Sequence, residues 1–173
     1  GGERDGVKAL ACYERSLKVS EMLLAVKPGS RQAARDASVS LEKLGTYFRA
    51  FGNEGDKEKV LVCYESSLKI REKLFELNNE SEEAARDLSV SLEKLGDCCM
   101  ELGDEGNLEK GLMCYERALE LRRRFLVANP DSGMLARDMS VVLEKLGDSY
   151  RVRCGDGDGE KVLTCYVWAL ELR

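Results

Sequence analysis

The chain has 173 residues, of which 34% are charged and 6% aromatic, with two prolines and a net charge of −5. This balance favours an all-α protein built from amphipathic helices over a β-rich one. An acidic chain without a basic stripe argues against nucleic acid as the main partner, and no segment approaches the roughly 20 apolar residues of a membrane span. The seven cysteines, an odd number without a signal peptide, favour a reducing, cytoplasmic location.

The most regular feature is a period of 51 residues. A Cys-Tyr pair recurs at Cys12-Tyr13, Cys63-Tyr64, Cys114-Tyr115 and Cys165-Tyr166. An Ala-Arg-Asp phrase recurs at 34–36, 85–87 and 136–138, and each copy is followed by Ser-Val-x-Leu-Glu-Lys-Leu-Gly. Fixed periods of this size are typical of stacked helical repeats, in which each unit buries its apolar face only against its neighbours.

In chain order, the pattern predicts an opening helix over residues 1–30, two complete repeats over 31–81 and 82–132, and a truncated repeat over 133–173. The first helix of each repeat follows Ser30, Ser81 or Ser132, which we expect to be its N-cap. The second helix carries the Cys-Tyr pair, whose cysteines we expect to be buried, and Asp56 is the expected cap of one such helix. These elements make a single array of about seven helices, which looks like part of a longer one.

Three recurring features of the repeat have structural interpretations. The glycine at 45, 96 and 147 lies inside the first helix, which predicts a close approach of the backbone of a neighbouring helix. The Arg-Asp pair is interpreted as a first-turn aspartate facing the helix dipole and an arginine bridging to a neighbouring helix. The only basic run, Arg122-Arg123-Arg124, is interpreted as a solvated helix end.

The pattern resembles tetratricopeptide (TPR) repeats. The resemblance rests on Leu41, Leu44-Gly45 and Phe48 in a first helix and on Gly111, Tyr115, Ala118 and Pro130 in a second, repeated in register along nearly the whole chain. It implies a right-handed α-solenoid of antiparallel helix pairs that binds a protein or peptide. The period of 51 exceeds the usual 34 or so and is similar to long-repeat variants of bacterial signalling proteins.

In TPR arrays the first helices line the face that commonly holds the ligand. Helical phase places a constant Glu-Lys pair outward at 42-43, 93-94 and 144-145, where we expect exposed salt bridges between repeats. The acidic and variable positions of this face are the predicted partner-binding residues: Thr46, Arg49, Glu93, Asp97, Met100, Glu144, Asp148 and Arg151. The carboxylates of Glu42, Glu93 and Glu144, with Asp97 and Asp148 nearby, would repel the chaperone C-terminus that one TPR subclass binds, so a ligand with some basic character fits the middle repeat better.

Val167 and Trp168 replace polar pairs of the earlier repeats and predict a covered terminal interface, with a following repeat, another domain or a second chain as the cover. No catalytic, cofactor or metal site is predicted, because the chain has no histidine, Cys-x-x-Cys or phosphate-binding loop. The sequence therefore predicts a non-enzymatic protein-interaction scaffold. The alternatives are a solenoid that self-associates end to end and a regulatory array of a larger signalling enzyme.

Overall fold

The computed structural model describes residues 2–153 and 159–172, and these residues are almost entirely helical. They form seven α-helices and one short 3₁₀ helix: α1 (Gly2–Val26), α2 (Arg31–Phe51), the 3₁₀ helix (Glu54–Asp56), α3 (Lys57–Glu76), α4 (Glu82–Leu102), α5 (Glu105–Ala128), α6 (Gly133–Arg153) and α7 (Gly159–Glu171). The prediction of an all-α chain with about seven helices is confirmed. No helix among the described residues is both long enough and apolar enough to cross a membrane.

The chain divides into two compact units between Asn79 and Glu80. The first unit contains α1, α2 and α3, and the second contains α4 to α7. The repeat boundary predicted between residues 81 and 82 lies two residues after this division.

Serine side chains begin the first helices, as predicted. Ser30 accepts a hydrogen bond from the backbone N–H of Ala33 at 3.2 Å, and Ser81 accepts one from Ala84 at the same distance. Ser132 accepts the equivalent bond from Leu135. The prediction for Asp56 is wrong, because its side chain accepts a bond from the backbone N–H of Asn53 and makes no cap bond to α3.

Neighbouring helices within each unit run antiparallel. In the first unit, Ser40 of α2 donates to Ser16 of α1 at 2.8 Å, and Ser67 of α3 donates to the backbone carbonyl of Ser38 in α2 at 3.0 Å. In the second unit, the predicted apolar stripe of α4 lies in the core, where Leu88, Leu92, Leu95 and Cys99 are fully buried. These contacts position the first helix of each pair against the second.

The repeat cysteines differ in burial. Cys63, Cys114 and Cys165 are buried, whereas Cys12 is exposed, so the prediction is wrong for Cys12. The reason is that α1 is shielded only along the stripe that contains Tyr13, Leu17 and Ser20.

The recurring glycine fits against a tyrosine ring of the second helix. A Cβ atom at Gly45, Gly96 or Gly147 would lie 2.7, 2.7 or 2.9 Å from Cε1 of Tyr64, Tyr115 or Tyr166, respectively. The predicted close approach is therefore confirmed, but its partner is an aromatic side chain and not the backbone of the neighbouring helix. The tyrosine of the Cys-Tyr pair and the glycine of the Leu-Gly pair are two halves of one contact.

We expect Gly96→Ala to destabilise the protein although alanine is the better helix former. Alanine would gain about 1 kcal/mol of helix propensity, but forcing the buried Tyr115 ring aside is expected to cost about 2–3 kcal/mol. The net loss should be measurable by urea unfolding followed by circular dichroism.

Gly133→Ala is the matched control, because no atom lies within 4 Å of a Cβ at that helical position. It should leave the free energy of unfolding unchanged or slightly higher. A Gly96→Ala variant as stable as the wild type would contradict the role assigned to the tyrosine ring.

Candidate protein-binding surface

The variable position after each recurring glycine is held by a tyrosine hydroxyl of the second helix. Thr46 is paired with Tyr64, Asp97 with Tyr115 and Asp148 with Tyr166. The oxygen–oxygen distances are 3.3, 2.6 and 2.6 Å, respectively. The hydrogen bond to Asp148 raises the pKa of Tyr166, because the bond stabilises the protonated phenol. The same fixed hydroxyl thus orients a side chain that differs between repeats.

A buried arginine joins three helices of the second unit. The Arg122 guanidinium in α5 forms an ion pair with Glu93 of α4 and donates to the backbone carbonyl of Asp138 in α6. Its Nε donates to Ser89 at 3.2 Å. Bonds in several directions from one planar cation restrict how these helices can move against each other.

Lys145 of α6 adds a second link to α4. Its ammonium group lies 2.8 and 2.9 Å from the two carboxylate oxygens of Asp97 and 3.7 Å from Glu93. It also lies over the Tyr115 ring, 5.9 Å from the ring centroid. The predicted role of the Glu-Lys pair in linking neighbouring repeats is confirmed here, although Glu93 is buried and not exposed.

The Glu93 carboxyl has opposing influences on its ionisation. Burial raises its pKa, Arg122 and Lys145 lower it, and the nearby Asp97 carboxylate raises it again; the net shift is upward. Glu93 can therefore respond to the loss of its partner by taking up a proton, whereas Arg122 cannot lose one.

The first unit contains the counterpart of this pair. Arg71 of α3 lies 3.7 Å from Glu42 of α2, and both side chains are buried. Ser67 donates to the same Glu42 carboxylate at 3.2 Å. The prediction that Glu42 and Glu93 point outward is wrong, because an arginine of the second helix covers each of them.

The sequence contains a signal for this pair. Arginine recurs at 71, 122 and 173 with the same 51-residue period as the glutamate. The interpretation of Arg122-Arg123-Arg124 as a solvated helix end is also wrong for Arg122, because α5 continues to Ala128 and Arg122 is buried. Arg123 and Arg124 are exposed, as predicted.

The arginine of the recurring Arg-Asp pair bridges to a neighbouring helix, as predicted. Arg86 of α4 lies 3.1 Å from the Asp138 carboxylate of α6. The predicted place of the aspartate is wrong, because Asp36 lies in the second turn of α2, where it accepts a bond from Gln32 at 2.9 Å. Together with Lys145–Asp97, the Arg86–Asp138 contact shows that α4 and α6 run parallel and adjacent.

The eight predicted partner-binding residues fall into two groups. Four are exposed, namely Thr46, Arg49, Asp148 and Arg151, and four are partly or fully buried, namely Glu93, Asp97, Met100 and Glu144. Met100 packs over Gly111, where a Cβ would lie 2.8 Å from its Sδ. Arg151 lies 3.4 Å from the Asp148 carboxylate, so these two form an exposed charged pair at the end of α6.

The predicted terminal interface residues lie on α7. Val167 is 41% exposed and Trp168 is 51% exposed. An exposed apolar pair of this kind on one helix is a candidate contact surface for another polypeptide.

Replacing Glu93 by leucine should destabilise the second unit more than replacing Arg122 by methionine. Glu93→Leu leaves a permanent buried cation, which is expected to lower the free energy of unfolding by about 3 kcal/mol. Arg122→Met instead leaves a carboxyl group that can be protonated. The double variant should recover most of the loss, because it removes both charges. Urea unfolding of the four proteins provides the double-mutant cycle.

Arg122→Met should also change the pH dependence of stability. Removing the cation raises the folded-state pKa of Glu93 further, and a raised carboxyl pKa contributes stability at low pH that is lost as the pH rises through it. The difference in the free energy of unfolding between Arg122→Met and the wild type should therefore become smaller as the pH falls. Arg123→Met, at an exposed pair 3.8 Å from Glu120, is the control and should have little effect at any pH.

No model of a known protein family matches the chain, and no curated protein matches it. Among solved structures, the chain is similar to the crystal structure of the de novo designed helical repeat protein DHR64. The TM-score is 0.60 at 20% sequence identity, and the match covers 99% of this chain and 84% of the designed one. The similarity establishes the fold: the chain is an all-α helical repeat protein.

Proposed function

We propose that the chain is a protein-interaction module of the long TPR-like kind, with a partner bound on the face of the first helices. The observation that carries the proposal is the tyrosine-held position beside each glycine. A constant hydroxyl orients Thr46 in the first unit and Asp97 and Asp148 in the second. Within each unit, a constant contact that presents a variable side chain is an arrangement that suits recognition by a repeat protein.

Preorganisation is what makes such a position effective in binding. An aspartate that is already held by a tyrosine loses little rotamer freedom when a partner arrives, and the gain in affinity comes from that saving. Asp148 is held in this way and its side chain is 59% exposed. Asp97, at the equivalent position, already binds the ammonium group of Lys145, so a basic side chain is the group that this position accepts best.

Selection of a displayed peptide library on the immobilised chain tests this function. We expect the selected peptides to carry lysine or arginine and to bind Asp148→Ala at least about tenfold more weakly, because a charge-assisted bond is lost. Tyr166→Phe should weaken binding by less, since it frees the carboxylate without removing it.

Glu120→Ala, which removes an exposed carboxylate of α5, is the matched control and should not change the affinity. Peptides that bind Asp148→Ala and the wild type equally well, or a library that yields no ligand, would contradict the proposal.

End-to-end self-association is the second candidate function. It is favoured by exposed apolar side chains on two helices, with Val19, Met22 and Leu23 on α1 and Val167 and Trp168 on α7. Contacts between different surfaces of identical chains form rings or open filaments, and in either case the mass should rise with concentration.

Light scattering after size exclusion over a concentration series checks this alternative. A rising mass that Trp168→Arg returns to about 19 kDa would support self-association. A constant mass of one chain at all concentrations would rule it out.

A further inference from the structure

An open groove lies between α6 and the end of α7. Its volume is about 880 Å³, and it is lined by Gly133, Met134, Arg137, Ser140, Val141 and Leu172. Met134 is 49% exposed and Val141 37%. The groove therefore combines an apolar floor with one cationic side chain.

The same place one repeat earlier is occupied. Between α4 and α5, the residues that line it include Glu82, Arg86 and Leu121, each 51 positions before a groove residue. There, α6 inserts Leu135 and Asp138, and only about 10 Å³ remains. The internal interface shows which kind of helix fits this surface.

Two charged contacts define that internal interface. Arg86 binds Asp138 at 3.1 Å, and Asp97 binds Lys145 at 2.8 Å. The equivalents of the two α4 residues on α6 are Arg137 and Asp148, both exposed. A helix that occupied the groove as α6 occupies its own site would need an aspartate for Arg137 and a lysine for Asp148.

The helices α5 and α7 occupy equivalent repeat positions but differ at one contact of the internal interface. At the internal interface, Glu116 of α5 accepts a hydrogen bond from Tyr150 of α6 at 2.8 Å. The equivalent of Glu116 on α7 is the exposed Val167, and Trp168 lies one helical turn before the groove residue Leu172. This exposed surface of α7, which precedes the groove residue Leu172, favours an apolar residue on an incoming helix.

We propose that the groove binds an amphipathic helix of a partner protein, parallel to α6. The helix carries an aliphatic residue, an aspartate three positions later and a lysine seven positions after the aspartate, as Leu135, Asp138 and Lys145 do in α6. The inference rests on the proposed function in that the chain binds protein partners. The opposite orientation would place aspartate against Asp148 and lysine against Arg137, so the charges also select the direction of the helix.

A second copy of this chain is a poor source of the helix. The helices α1 and α7 occupy equivalent repeat positions, so the helix that would follow α7 corresponds to α2. In each copy α2 is already packed against α1, with Ser40 bonded to Ser16 at 2.8 Å. A second copy could offer α2 only by releasing α1, so a second copy fits the groove less well than a helix that is not already packed.

A synthetic peptide of residues 131–153, constrained to a helix and labelled for fluorescence anisotropy, tests the inference. We expect saturable binding to the wild-type chain, accompanied by a blue shift of the emission of Trp168, which is the only tryptophan. Arg137→Glu should weaken binding about tenfold or more, because it places like charges together. A peptide with Asp138→Lys should recover affinity for that variant and lose it for the wild type.

Arg123→Glu is the matched control, since it reverses an exposed arginine of α5 that does not line the groove. Equal binding to the wild type and Arg137→Glu, or failure of the charge exchange, would overturn the inference. A second measurement fuses residues 131–153 to the end of the chain through a flexible linker. The fusion should raise the Tm, and the Asp138→Lys change within the added segment should abolish the increase; an unchanged Tm would overturn the inference.

The two proposals can fail separately. If library peptides bind through Asp148 while the 131–153 helix binds neither as a peptide nor as a fusion, the helix inference alone is overturned. If neither class of peptide binds, both proposals fail. A mass that doubles through the groove, reversed by Arg137→Glu, would assign the groove to a second copy and overturn the partner helix.

Discussion

The close contact between a glycine of each first helix and a tyrosine ring of the second helix is the constraint on which the rest of the repeat depends. Because glycine has no side chain, the ring lies directly on the helix backbone, and the two helices of a pair approach closely. The hydroxyl of the same ring then reaches the next residue of the first helix, which is Thr46, Asp97 or Asp148. One contact therefore sets both the spacing of the helices and the geometry of the candidate recognition surface.

The buried polar groups of the second unit depend on this spacing. Arg122 can bond to Glu93, Ser89 and the Asp138 carbonyl at once only because the first and second helices are held at a fixed distance. Buried ion pairs add little net stability, but they disfavour other registers of the helices, since a shifted register would leave a buried charge unpaired. The pair at Glu42 and Arg71 repeats this device in the first unit.

Much of the fold could be predicted from the sequence because each repeat encodes it again. The serine caps and the helical stripe of Leu88, Leu92 and Leu95 follow from local rules of helix capping and periodicity. The identity of long-range partners does not follow from such rules. Helical phase placed Glu42 and Glu93 outward, since phase describes a single helix and cannot show that an arginine of another helix covers the carboxylate. The division between Asn79 and Glu80 lies within two residues of a repeat boundary, but the repeat pattern does not single this boundary out, because the same residues recur on both sides of it.

Because the cysteines differ in burial, the reactivity of their thiols can report local opening of the helices. Cys12 is exposed, whereas Cys63 in the first unit and Cys114 in the second are buried. Burial also raises the pKa of the Cys63 thiol, which disfavours the reactive thiolate as long as the helices remain packed. An alkylating reagent should therefore modify Cys12 at once and the other two only when their helices separate from their neighbours. The rates at Cys63 and Cys114 would report the opening free energies of the two units independently, in the native chain and without a denaturant.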